Sequence, residues 1–253
     1  MRGKIAAVLF WLVLWQGAAL ALHNPILLAG PAETAQALAN LAGQEAFYLA
    51  LGTSLLRIGG GFFLGAAAAA ALALAAWRWE AVRVLLEPLL SALTTVPIAA
   101  FVILLLIWTS SRYLSAAISF LVVLPPLYLA LLSGLRSTDA RLTEMADLFR
   151  VPLGRRLWYI HRPALAPQFL SACRLALGLC WKSGVAAEVI GVPAHTIGEG
   201  FYMAKISLDT PSLLAWTAAL AVLSWLFQRL VLAVLRRLLL SGRETKNPGF
   251  SED

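Results

Sequence analysis

"SLLRIGGGFFLGAAAAAALAL", Ser54 to Leu74, holds a single charge, Arg57, followed by 17 uncharged residues. A helix made from it has no polar face to offer water, and its length approaches the roughly 20 apolar residues that cross a bilayer core. It predicts a transmembrane helix centred on Ile58 to Ala76, with Ala46 to Arg57 as an extension. Gly59, Gly60, Gly61 and Gly65, followed by six alanines from Ala66 to Ala71, make a smooth strip for a close-packed neighbour. The rest of the chain has the same character. Of 253 residues, 60% are hydrophobic and 13% charged, against about 45–50% apolar and 25% charged in soluble domains. This is a membrane protein, and its length is best counted in spans.

Five further segments pass the length test: Ile5 to Leu22, Pro88 to Ile107, Tyr113 to Leu135, Ala164 to Ile190, and Thr210 to Leu235. The last is capped by Asp209 or Thr210, with Pro211 at the first helical position, where its missing N–H costs nothing. Backbone groups must be satisfied internally in lipid, and no segment alternates with a barrel strand's period. The fold class is therefore all-α, a polytopic bundle of about six transmembrane helices. Ile5 to Leu22 also fits a cleaved signal peptide, but it is longer than a typical apolar core of that kind.

Basic residues orient the bundle. One alternate set of connections holds Arg2 and Lys4, Arg78 and Arg83, the run from Arg136 to Arg162, and Arg236, Arg237, Arg243 and Lys246; the other holds Arg112 and Lys205. Positive residues gather on the cytoplasmic side, so both termini are expected there. The net charge of +7 is explained by this asymmetry, and nucleic acid is not an expected partner. Cys173 and Cys180, two helical turns apart, are too distant for a disulfide. The three histidines are scattered and no metal site is expected.

Between the fourth and fifth spans lies a polar island, "TEMADLFRVPLGRRLWYIHRP", Thr143 to Pro163. Ser137, Thr138 or Asp139 can cap a helix in which Leu142, Met145, Ala146 and Phe149 fall at i, i+3, i+4 and i+7, one apolar stripe. Arg141, Glu144 and Asp147 occupy the opposite face, and Pro152 with Gly154 ends the helix. A short amphipathic helix of this kind either lies on the lipid surface or docks in the groove of a cytoplasmic partner. Spacing alone does not separate the two.

Glu144, Met145 and Ala146, with Pro163 nineteen residues after the glutamate, resemble the E-A-A loop of binding-protein-dependent ABC importer permeases. The likeness extends in order through Ser54–Leu74, "EPLLSALTTVPIAAFVILLLIW" (Glu87–Trp108), "LSGLRSTD" (Leu132–Asp139) and "RLALGLCWKSGVAAEVIG" (Arg174–Gly191), all similar to the nitrate, sulfonate and taurine branch. The resemblance implies a type I importer permease fold in a prokaryotic inner membrane. Residues 1–45 would form an N-terminal helix and external connection, 46–240 the permease core, and 241–253 a cytoplasmic tail. It implies a homodimer, two ATPase subunits carrying ATP and Mg, an external substrate-binding protein, and no cofactor on this chain. The coupling helix would dock through Leu142, Glu144, Met145, Ala146, Phe149, Arg150, Gly154 and Pro163. Two positions depart from the family pattern: Arg150 stands where the motif has glycine, and Arg162 precedes Pro163 in place of leucine. Pro152 and Gly154 are the residues expected to supply a displaced turn.

No G-x-x-x-x-G-K-[ST] phosphate cradle occurs, and no nucleophile with a base or paired-carboxylate site is visible, so no catalytic residue is expected. Pro97 after Thr94 and Thr95, and Pro125 with Pro126, should bend or loosen their helices. Such a bend is either a static kink or a place where freed carbonyls and hydroxyls line a pathway. Lys182 and Glu188 are costly in lipid and must face protein, water or an interface. Lys182 either attracts an anionic substrate or pairs within the bundle; Glu188, near the external end, is expected to snorkel or bond to the following loop. That loop, Gly191 to Asp209, reads as a short mouth-closing helix or a plain connection. A gradient-driven carrier and a membrane scaffold are the alternatives to the importer; the first would want inverted repeats and midplane acids near broken helices.

Overall fold

A computed structural model describes residues 2–22, 24 and 26–240; His23 and the polar tail with Arg243 and Lys246 lie outside the described residues. Among the described residues every regular element is helical. In chain order they are α1 (Arg2–Leu22), α2 (Pro31–Ala42), α3 (Glu45–Arg78), α4 (Glu80–Thr95), α5 (Ile98–Trp108), α6 (Ser111–Arg136), α7 (Ala140–Leu148) and α8 (Leu153–Arg156). A π-helical turn over Leu157–His161 leads into α9 (Arg162–Gly191), followed by α10 (Ile197–Ile206) and α11 (Thr210–Leu240). The helices α1, α3, α6, α11 and the run from Gly154 through α9 are each long and apolar enough to cross a membrane. Helices α4 and α5 qualify only as a broken pair, giving up to six spans.

The expected extension of the second span is real, since α3 is one helix of 34 residues. The third span differs from the expected Pro88 to Ile107. Its helix begins at Glu80, carries Pro88 internally, and stops at Thr95 before Pro97. Thr94, Thr95 and Val96 form a β-branched run, and the residue before a proline is pushed out of helical geometry. The paired prolines of α6 behave otherwise: the helix continues through Pro125 and Pro126. Val123 and Leu127 on either side are fully buried and Leu124 and Tyr128 nearly so, so packing holds the backbone helical where two donors are missing. At α11 the cap is Asp209, whose carboxylate accepts from Ser212 N at 3.1 Å. Pro211 is therefore the second helical residue, and the helix runs past Leu235 to Leu240.

Two compact units divide the described residues. The first comprises those within Met1–Phe63, Val96–Ser119 and Cys180–Leu226. Its core holds Ile58, Phe62, Leu114, Ile118 and Ile197. The glycine strip works here as a packing surface: a methyl group on Gly61 would strike the backbone of Ala116 and the side chain of Ser119. Phe47 and Trp216 stack with ring centroids 5.0 Å apart. The second unit comprises the described residues within Leu64–Thr95, Phe120–Leu179 and Phe227–Asp253. Its core is built on Ala69, Ala73, Val123, Leu127, Ala166, Cys173 and Leu177. Both cysteines are buried, and neither is in a disulfide.

Candidate functional site

The loop from Arg136 to Pro163 belongs to the second unit. Of the three candidate caps, Asp139 starts α7, accepting from Arg141 N at 2.9 Å. The apolar stripe is mostly turned outward. Ala146 is fully buried, whereas Leu142, Met145 and Phe149 are exposed, joined by Leu148 and reaching 72% exposure at Phe149. The periodicity placed these residues on one face; in the fold, only the small one of the four packs against the protomer. Glu144 is exposed as well.

Arg150 does what the motif glycine would do. Its φ is +50°, in the left-handed region that favours glycine. Val151 N donates to Ala146 O at 2.9 Å and Arg150 N to Asp147 O at 3.0 Å, the paired bonds that close a helix with a left-handed residue after its C-cap. The turn is thus not displaced onto Pro152 and Gly154, as the sequence suggested. Gly154 sits in α8, exposed, and no described glycine has a positive φ.

Four contacts fasten the loop. Arg156 pairs with Asp147 at 2.6 Å, tying α8 to the last turn of α7. The Thr138 hydroxyl lies 2.9 Å from His161 Nδ1, and Trp77 of α3 meets the buried His161 ring edge-on at 5.1 Å. Arg162 stacks over Trp158 at 4.1 Å. Pro163 is exposed in the first turn of α9 and cannot donate to the carbonyl four residues back; there the backbone widens into the π turn, with Arg162 N bonded to Leu157 O. His161 escaped the sequence analysis, because a lone histidine at a helix entry carries no spacing signal.

A second constellation lies in the first unit. Glu188, near the end of α9, is completely buried. Its Oε2 accepts from Ser54 Oγ of α3 at 2.7 Å and from Gly198 N of α10 at 3.3 Å. The Ser54 oxygen in turn accepts from Ile197 N at 2.9 Å. Ser115 and the Arg57 guanidinium stand around the same carboxylate. A side chain on Gly198 would run into the Glu188 backbone and Cβ. The segment after Gly191 is thus a short helix, capped by Thr196, which accepts from Glu199 N at 3.2 Å, and its start is fixed to α9 and α3. The bond from Glu188 to the following loop is as expected. The serines that share it were not foreseen.

The remaining pathway candidates make no hydrogen bond to this network among the described residues. Lys182 is exposed on α9 and makes no ion pair among the described residues. Pro125 is buried inside the second unit. Thr94, Thr95 and Pro97 are exposed. The threonine hydroxyls donate back to Ser91 O at 2.8 and 3.0 Å, sealing the end of α4 and leaving lone pairs outward. Thr94 also lines a cavity of about 430 Å³ with Arg83, Glu87, Tyr128 and Arg136.

A family model described as the binding-protein-dependent transport system inner membrane component matches residues 46–240. The chain belongs to this family. It is similar to the taurine transport system permease protein of Escherichia coli, 29% identical over 244 residues, covering 93% of this chain and 87% of that protein. It is also similar to a putative aliphatic sulfonates transport permease protein of Bacillus subtilis, 28% identical, covering 74% of this chain and 67% of the relative. With the formylaminopyrimidine transport permease protein of Halalkalibacterium halodurans, identity is 24% and coverage 82% of each chain. The inner membrane component described here is accordingly the substrate-translocating permease of a type I ABC importer, of the nitrate, sulfonate and taurine branch. Such permeases are multi-pass membrane proteins that work with an ATPase and a substrate-binding protein.

Proposed function

We propose that two copies of this permease enclose a pathway for a small organic acid of the sulfonate type, and that α7 is the knob through which two cytoplasmic ATPase subunits drive it. ATP and Mg belong to those subunits, and this chain contributes no catalytic group. Both termini lie in the cytoplasm, 46–240 is the transporting core, and a substrate-binding protein delivers solute from outside. The observation that carries the reading is the outward display of Leu142, Met145, Leu148 and Phe149 on a capped nine-residue helix. An exposed apolar stripe of that kind on a short capped helix fits the groove of a protein, and membership of a family whose permeases work with an ATPase favours that occupant over a headgroup layer. The exposed Lys182, Thr94 and Thr95 support a wet pathway, since a lysine in a span must face water or protein.

Glu144→Lys and Ala146→Trp test the docking. Reconstituted with the ATPase and binding protein, each variant should still insert but lose substrate-stimulated ATP hydrolysis and uptake together. Unchanged ATPase copurification and unchanged uptake would refute the assignment.

A further inference from the structure

One side chain of the second unit touches three elements. His161 closes the π turn, its Nδ1 lies 2.9 Å from the Thr138 hydroxyl, and its ring meets Trp77 edge-on with centroids 5.1 Å apart. Thr138 directly precedes Asp139, the cap of α7; Trp77 is the next-to-last residue of α3; Arg162, which follows His161, begins α9. The entrance of α7 is thus tied through one imidazole to the entrance of α9, and only 1% of His161 is exposed. At the other end of α7 the tie is the pair of Arg156 with the exposed Asp147. Of the two ties the buried one is the stiffer, because a hydrogen bond shielded from water is stronger than an exposed ion pair.

Two features set this contact apart from ordinary packing. His161 Nε2 is buried with no hydrogen-bond partner, whichever ring nitrogen carries the proton. An apolar residue of similar size would fill the space without leaving a polar atom unmet, so the imidazole is explained by its Nδ1 bond and not by its volume. The second feature is the backbone. Over Leu157–His161 the α-helical ladder gives way to the wider π pattern, with Arg162 N bonded to Leu157 O, and a π turn is a place where a helix bends. We propose that His161 is a positioning residue for coupling: the Thr138–His161 bond carries a displacement of α7 across the π turn into α9, with Trp77 as the surface against which the ring turns. This rests on the reading of α7 as the ATPase knob and adds the route by which its motion leaves the loop.

The test is hydrogen–deuterium exchange on the full-length permease assembled with its ATPase subunits in phosphatidylcholine nanodiscs, with and without ATP and vanadate, so that no solute need be known. In the native complex the nucleotide should change exchange by about fivefold, the effect of one net hydrogen bond on a local opening equilibrium, both in α7 and over residues 157–165. Thr138→Val with His161→Leu removes both polar partners and keeps the space filled, so the unfolding midpoint should stay within about 2 °C of the native complex. In that double variant the α7 response should persist and the response over 157–165 should disappear. His161→Asn with Thr138 kept, whose side-chain amide stands where Nδ1 stands, should retain it. A response over 157–165 that survives the double variant, that is lost in His161→Asn, or that is missing from the native complex although α7 responds overturns the proposal. So does a lowered midpoint with faster exchange in both nucleotide states, because His161 would then only fasten the loop. The two readings fail separately. A native α7 that ignores the nucleotide sinks the docking assignment and this inference with it, whereas a responding α7 with an indifferent His161 sinks this inference alone.

Discussion

The loop from Arg136 to Pro163 and the junction around Glu188 both place a carboxylate near a helix end, and they secure it by opposite means. Asp147 is 71% exposed and pairs with Arg156 across solvent, whereas Glu188 is wholly buried and bonded to a serine 134 residues away in the chain. An exposed pair contributes about 0–1 kcal/mol and is screened by salt. A buried carboxylate with several donors cannot be removed without leaving those donors unmet, at about 1–3 kcal/mol each. The loop is therefore held lightly enough to be displaced by a partner, while the junction presets α10. Backbone conformation follows the same division. Of the four non-glycine residues with positive φ among the described residues, Val192, His195 and Leu208 flank α10 and only Arg150 lies in the loop; a β-branched valine there persists only under strong surrounding constraint.

The largest effect expected is at the junction. Glu188→Ala strands the Ser54 hydroxyl and the Gly198 amide and should cost about 3 kcal/mol, read as a lowered thermal unfolding midpoint of the purified permease. A loss below about 1 kcal/mol would make the two regions energetically alike and break the comparison. The next is Ala146→Leu, which forces three carbons into a position with no exposure. Overpacking should cost about 1–3 kcal/mol. Because it tilts α7, it should also reduce ATPase copurification, a readout that Glu188→Ala leaves unchanged.

What the sequence made legible follows from how local each cause is. The spans were readable because lipid imposes the same demand on every residue of a helix, and the positive residues mark its ends. Pro97 broke its helix as expected, being exposed and preceded by β-branched residues, but Pro125 and Pro126 did not, since Val123 and Leu127 are gripped by neighbours that no local pattern reveals. The α7 stripe was legible as a stripe, but what covers it was not, for a related reason. Periodicity shows which residues share a face but not whether that face meets the protomer or its surroundings. The Glu188 constellation could not be read at all beyond the acid itself, because Ser54, Ser115 and Gly198 come from three separate helices.

Asp147→Asn sharpens the lower end of the comparison. Loss of the Arg156 pair should destabilise by no more than about 0.5–1 kcal/mol at low salt. The difference from the native protein should shrink as salt approaches 1 M, where screening reaches about 3 Å. A salt-independent loss would mean the pair behaves like the buried junction.

Arg150→Gly should have the smallest effect and the opposite sign. A left-handed conformation costs a non-glycine residue roughly 1–2 kcal/mol, and glycine escapes it. Glycine also gains more freedom in the unfolded chain, which takes back about 0.5–1 kcal/mol. The difference leaves a net stabilisation of about half a kcal/mol, visible as a slight rise in the unfolding midpoint if the φ of +50° is a true constraint of the turn. The function of the change separates two meanings of arginine at this place. If Arg150 serves only to close α7, the glycine variant transports as well as the native permease. If its exposed guanidinium contacts the ATPase, the variant is more stable and yet less well coupled, so that stability and uptake move in opposite directions at one residue.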